Sequence, residues 1–185
     1  MSNLQNENGK INLFIGPIFS GKSTRLKNSI EKLKNQNFKT ILVTYNNKNY
    51  IKEEGKLITH DLTKEKAILC ENLTEIFIEL INYDVIGIDE GQFFSDLLNI
   101  CDALSRLGKI IFVSALSSND KMKPYDNVSK LIPFVDKIKL MKAYCFFCHK
   151  QAGFNLKVNK SKRKFSERNN EDYKPVCKNC FFIHS

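Results

Sequence analysis

An α/β fold, a mainly parallel sheet with helices on both faces, is what this sequence predicts. Three observations carry that expectation. Short apolar runs recur, INLFI at 11–15, TILVTY at 40–45, DVIGIDE at 84–90 and KIIFVSAL at 109–116, and each has the length and composition of a buried strand. Segments with helical spacing lie between them, and strands alternating with helices imply parallel pairing. The character of the chain then changes near Met141: residues 142–185 have no long periodic segment, two tight cysteine pairs and many lysines. The boundary is therefore set between a domain of residues 1–141 and a small one of residues 142–185.

The first strand, 11–15, runs into GPIFSGKST (16–24), which matches G-x-x-x-x-G-K-[ST]. In RLKNSIEKLKN (25–35), Leu26, Ile30 and Leu33 fall on one helix face. Strand, glycine-bearing turn and helix thus follow in the order a phosphate-binding loop requires. Gly16 and Gly21 let the backbone turn tightly and approach phosphate oxygens, and successive N–H groups at the helix start point at negative charge. Lys22 supplies a cation for the terminal phosphates, and Ser23 offers a hydroxyl to Mg²⁺. A glycine turn before an amphipathic helix is the plainer reading of the same pattern.

TILVTY gives the second strand. Residues 46–66, rich in Asn, Lys and Glu, read as a mobile excursion. ENLTEIFIELINY (71–83) reads as a helix with Asn72 as a possible cap, and DVIGIDE as a strand ending in two acids. SDLLNICDALSRLG (95–108) is expected to be helical, capped by Ser95 and ended by Gly108. KIIFVSAL is the fourth strand and KIKLMKAY (137–144) the fifth. A phosphate-loop protein needs an acid at a nearby strand end for Mg²⁺, and Asp89 fits that role. Strand side chains alternate, so Glu90 can face the acceptor and take its hydroxyl proton; the alternative is an exposed residue at a strand end.

Hydrophobic residues make up 42% of the 185, enough for a core and against global disorder. No apolar run approaches membrane-spanning length, and MSNLQNENGK lacks the apolar stretch of a signal peptide. A cytoplasmic protein without a membrane partner is expected. The net charge is +9, but the lysines are spread along the chain. The densest group, Lys160, Lys162, Arg163 and Lys164, reads as a solvated loop before it reads as a nucleic-acid patch.

Cys70 and Cys101 stand alone among apolar neighbours, as packing thiols do. Cys145-Phe-Phe-Cys148 and Cys177-Lys-Asn-Cys180 can place four thiolates on one tetrahedral ion, which favours structural Zn²⁺. Redox-active pairs and an iron–sulfur cluster are the alternatives. Zinc here would tie off residues 149–176 as a long loop, and loops of that length usually bind something.

GPIFSGKST, IGIDEGQFF (86–94) and the two C-x-x-C pairs, with a tyrosine four residues before the second, resemble the zinc-containing thymidine kinases of cellular, bacterial and poxviral type. The resemblance runs from Lys10 to Phe181. It implies a P-loop NTPase-like kinase domain with a zinc-bound lasso domain, transferring the ATP γ-phosphate to the 5′-hydroxyl of thymidine, in a tetramer. Carried over by position, Gly16, Pro17, Ile18, Phe19, Ser20, Gly21, Lys22 and Ser23 would hold ATP phosphates. Ser23 and Asp89 would serve Mg²⁺, and Glu90 would be the base. Gln92 and Phe93 would sit by the nucleoside, Leu116 would line the base pocket, and Tyr173 would contact the sugar or close the lasso.

Departures from the family pattern fall on the nucleoside side. Ile18 stands where methionine is usual. Ser117-Ser118-Asn119-Asp120 replaces D-G-x-F, so Asp120 takes the place of a stacking aromatic. Phe154-Asn155-Leu156-Lys157 replaces fT-x-R, making Asn155 the substitute in the substrate pocket. Asn169 and Asn170 lie near the usual paired glycines, and Asn46-Asn47-Lys48-Asn49-Tyr50 replaces K-D-x-R-Y. A kinase-like protein with altered or lost nucleoside specificity is the alternative expectation.

Overall fold

The computed structural model describes residues 9–46, 56–57, 65–158 and 172–185, with 56–57 and 65–66 described by backbone alone. Most of the excursion assigned to 46–66, and Asn169 and Asn170, lie outside the described residues. β1 (Lys10–Gly16) leads into α1 (Lys22–Lys34), then β2 (Thr40–Tyr45), the short β3 (Lys56–Leu57) and β4 (Glu65–Lys66), and β5 (Ile68–Cys70). α2 (Phe77–Leu80), β6 (Val85–Asp89), α3 (Leu97–Arg106), β7 (Ile110–Leu116), α4 (Asp126–Leu131) and β8 (Lys137–Leu140) follow. The C-terminal part holds β9 (Ala143–Tyr144), β10 (Gln151–Ala152), β11 (Phe154–Lys157), β12 (Tyr173–Val176) and α5 (Lys178–His184).

Six strands form one sheet in the order β5-β2-β6-β7-β1-β8, and every pair in it is parallel. The expected class is therefore the observed one. The central strands are apolar throughout because both faces are covered. On one face Ile11, Leu13, Ile86, Ile88, Ile111 and Val113 pack with α3 and α4; on the other, Phe14 and Leu42 pack with Leu26 and Ile30 of α1. Cys70 and Cys101 lie in the larger core, and burial pushes the Cys70 thiol up to about 11, as expected of a packing thiol.

Three element expectations need correction. KIKLMKAY (137–144) is not one strand: β8 ends at Leu140, where its pairing with β1 stops, and Ala143–Tyr144 join the cysteine-rich part as β9, antiparallel to β10. Residues 71–83 do not form one helix. A 3₁₀ turn over Leu73–Ile76 passes into the single turn of α2, and Asn72 makes no side-chain cap bond. Ile76, Phe77, Ile81 and Tyr83 all pack on the core, and that demand overrides regular helix geometry. Ser95 does not cap α3 either: the cap position is Asp96, which makes no cap bond. Its carboxylate accepts from the Thr74 N–H (2.8 Å) and hydroxyl (2.7 Å) instead. The C-terminal expectation holds. Gly108 has φ 78°, its N–H reaches Ser105 O and the Lys109 N–H reaches Leu104 O, the double bond of a Schellman ending.

The cysteine-rich part has its own small core of Ala143, Cys145, Ala152, Leu156, Val176, Cys180 and Phe181. β9 pairs with β10 and β11 with β12, both antiparallel.

Candidate active site

β1 delivers the phosphate loop at the carboxyl edge of the sheet, where ligands of open α/β sheets bind. Gly16 is required by space: a Cβ there would come within 2.4 Å of Met141 O. Phe19 (φ 57°) and Gly21 (φ 76°) are both left-handed and curl the loop back onto α1. The Lys22 ammonium lies inside that curl, 2.6 Å from Pro17 O and 3.4 Å from Ser20 Oγ. Ser20 Oγ also donates to Pro17 O at 2.8 Å. The exposed N-terminal turn of α1 points its N–H groups and positive dipole end at the same space.

β6 ends at Asp89, which is 4% exposed. Its Oδ1 accepts from Ser23 Oγ (3.1 Å), from the Glu90 N–H (2.9 Å) and from Ser114 Oγ. Burial first, and then the Glu90 charge, hold its carboxyl above the ordinary range despite these donors. A carboxylate raised in the folded state loses stability as pH rises from the ordinary carboxylate range through the raised value. Asp89→Asn should therefore melt higher than the parent at neutral pH in metal-free buffer, with the gap closing toward acid. Thermal melts across pH check this.

Glu90 does not simply continue the strand. Its φ 57° and ψ 37° place it in the left-handed region, so the chain turns sharply and the two acids part company. One Glu90 carboxylate oxygen accepts from Gln92 Nε2. The Gln92 Oε1 accepts from the Leu116 N–H at 3.0 Å. The buried Gln92 side chain thus ties Glu90 to the end of β7. Phe93 packs on Tyr45 with ring centroids 5.3 Å apart.

Above this edge, Ile18, Leu116 and Tyr173 form one buried cluster, with Tyr125 packed against it. β7 and β12 are brought to the loop although more than half the chain separates each of them from it. Asp120 is not in this cluster. It is half-buried in a turn where Asn119 Oδ1 accepts from the N–H groups of Lys121 (2.9 Å) and Lys123 (3.0 Å). Sequence reasoning missed Tyr125. The signal was available: a tyrosine after Pro124, just before the helical DNVSKL of α4. Asn155, 0% exposed, meets the Ile18 N–H and Ser118 O rather than facing an open pocket.

The four paired cysteines converge. Their Sγ atoms all lie within 4.8 Å of one another. Each pair is set by local backbone: His149 at φ 58° closes the first turn with its N–H on Cys145 O, and Cys177 caps α5, its sulfur accepting from the Cys180 N–H. Burial raises the Cys145 thiol, but N–H donors from Cys177, Cys148 and Phe147 outweigh it and bring the thiol down to about 6. The Cys177 thiol is lowered chiefly by the Cys180 N–H. A closed set of four sulfurs, two of them primed toward thiolate, fits tetrahedral Zn²⁺.

The family model described as Thymidine kinase matches residues 9–181. A thymidine kinase of Sheeppox virus is 36% identical over 175 residues, covering 95% of this chain and 98% of the relative. The chain belongs to the thymidine kinase family. A Vaccinia virus (strain Ankara) thymidine kinase is 34% identical over 173 residues, with 94% of this chain and 97% of the relative covered. As a member of the family the chain is an ATP-dependent nucleoside kinase. The flagellar accessory protein FlaH of Methanocaldococcus jannaschii shares the fold at 12% identity, with a TM-score of 0.53 over 90% of this chain and 86% of that one. No helix among the described residues is long and apolar enough to cross a membrane.

Proposed function

We propose that this thymidine kinase family member moves the γ-phosphate of ATP to the 5′-hydroxyl of thymidine, with Glu90 as general base. The observation that carries the reading is the junction at the end of β6. Asp89 is bonded to Ser23 of the phosphate loop, and the next residue, Glu90, is turned away from it and tied to β7 through Gln92. Donor and acceptor sides thus meet at adjacent carboxylates.

In this scheme the backbone of residues 16–23 cradles the triphosphate, and Lys22 offsets charge on the transferring group. Ser23 and Asp89 hold Mg²⁺, which neutralises the phosphate oxygens when bound. Glu90 accepts the 5′-hydroxyl proton. Ile18, Leu116, Tyr125 and Tyr173 form the wall against which the base packs, and Phe93, packed on Tyr45, sits by the nucleoside. Zn²⁺ on Cys145, Cys148, Cys177 and Cys180 stiffens the second domain, residues 142–185, and the separate core there supports the boundary. A cytoplasmic homotetramer belongs to the same proposal. Edge strand β8, with Ile138 44% and Leu140 55% exposed, supports a subunit contact, and sedimentation analysis tests it.

A second reading, altered nucleoside preference, is favoured by Asp120 lying outside the apolar cluster. Steady-state phosphorylation of thymidine, deoxyuridine and deoxycytidine separates the two. Thymidine is expected to have the highest kcat/KM; no turnover of any nucleoside would sink the kinase assignment. Tyr125→Ala should raise the thymidine KM by on the order of tenfold, about the loss of one stacking ring, with a much smaller change in the ATP KM.

A further inference from the structure

The β11–β12 hairpin has two faces. Phe154, Leu156 and Val176 turn into the zinc-side core. Strand alternation sends Asn155 and Tyr173 the other way, and the register sets Asn155 opposite Pro175 and Lys157 opposite Tyr173. On that second face Tyr173 meets Ile18 and Leu116. Asn155 uses both ends of its amide there. Its Oδ1 accepts from the Ile18 N–H at 2.8 Å, and its Nδ2 donates to Ser118 O at 3.0 Å. The residue is wholly buried, so removing the amide would take this partner from both the Ile18 N–H and the Ser118 O. The Ser118 loop has a second hold on the zinc side, because Met122 packs on its core.

We infer that Asn155 is a positioning residue: a latch through which the zinc-tied hairpin fixes the acceptor side of the phosphate loop. It joins three segments with one side chain: β11, the turn of the phosphate loop at Ile18, and the chain leaving β7 at Ser118, which also meet through the Ile18–Leu116–Tyr173 cluster and the Ser117 N–H on Gly16 O. Its role differs from the direct substrate contact its sequence position suggested. The amide is spent on the protein, and nucleotide affinity becomes linked to the state of the cysteine cluster. The inference rests on the kinase reading of the phosphate loop.

The test is equilibrium binding of Mg·ATP to the full chain and to Asn155→Leu, each with zinc and after chelation. Chelation should weaken wild-type binding about fivefold or more, the usual lower range of coupling between sites. Asn155→Leu with zinc should already show a loss of similar size, and chelation should add less than about twofold to it, as expected when two changes break one linkage. In turnover assays the variant should raise both KM values while kcat changes less than about threefold, since Lys22, Asp89 and Glu90 remain. Asn155→Ser provides the same readout if the leucine variant does not fold. Losses that multiply, or wild-type binding indifferent to chelation, would overturn the latch. Wild type that binds no Mg·ATP at all would overturn the kinase reading, and the latch with it.

Discussion

Glu90→Gln should bind Mg·ATP as tightly as the parent and phosphorylate thymidine about 10²- to 10⁴-fold more slowly, the range for loss of a positioned general base. The substitution changes one oxygen to an amide and hardly alters volume. The new glutamine can accept from Gln92 Nε2 through its own amide oxygen, so Gln92 keeps its orientation and its tie to the Leu116 N–H survives. The left-handed backbone at position 90 (φ 57°) is no harder for glutamine than for glutamate. What disappears is a group able to receive the hydroxyl proton as the oxygen attacks. Removing the Glu90 charge also removes one of the causes that raise Asp89, so the variant should be no less stable than the parent. Single-turnover kinetics with nucleotide binding measured on the same sample decide the matter. Turnover within a few-fold of the parent would show that Glu90 is not the base.

The donor half of this site was legible because its signals are local. Strand, loop and helix occur consecutively from Lys10 to Lys34, and each is readable from a few neighbouring residues. Gly108 ended α3 as expected for the same reason. The cysteines were legible by spacing, which their own turns enforce. Features that depend on distant packing were not. Residues 71–83 have helical spacing, but their apolar side chains serve the core better as a broken turn. The two acids of IDE are adjacent in sequence, yet their separation comes from a left-handed Glu90 that no propensity forecasts. Tyr125 enters the Ile18–Leu116–Tyr173 cluster only after α4 and the hairpin are docked. Asn155 read as a substitute in the pocket because the residues that occupy its amide, Ile18 and Ser118, lie far off in sequence.

Removing the metal should act on the acceptor side before the donor side. With Zn²⁺ chelated, or with Cys145→Ser, hydrogen exchange is expected to rise in residues 143–157 and 172–184 while β1, β6 and β7 stay protected. The thymidine KM should climb more than tenfold, and the ATP affinity should fall less. The asymmetry follows from where the apolar contacts lie. The sheet has its own core, independent of any cysteine pair, and α1 is fastened to it by Leu26 and Ile30. Among the described residues, the cluster of the C-terminal part has seven buried side chains, two of which belong to the four-cysteine set. A core that small does not sustain itself without a staple, and a structural zinc site supplies on the order of 10 kcal/mol of apparent folding free energy at neutral pH. Without it four sulfurs packed within 4.8 Å would have to share protons, and burial with neighbouring sulfurs holds the Cys180 thiol up at about 12. Tyr173 stands on that hairpin, so the wall beside Ile18 and Leu116 loses its cover as soon as β12 loosens. Because ligand thiols must lose their protons to bind metal, zinc release should become easier as pH falls below neutrality, and the thymidine KM should rise with it. Unchanged exchange and unchanged KM after verified zinc removal would mean that the cysteine cluster does not support the acceptor wall.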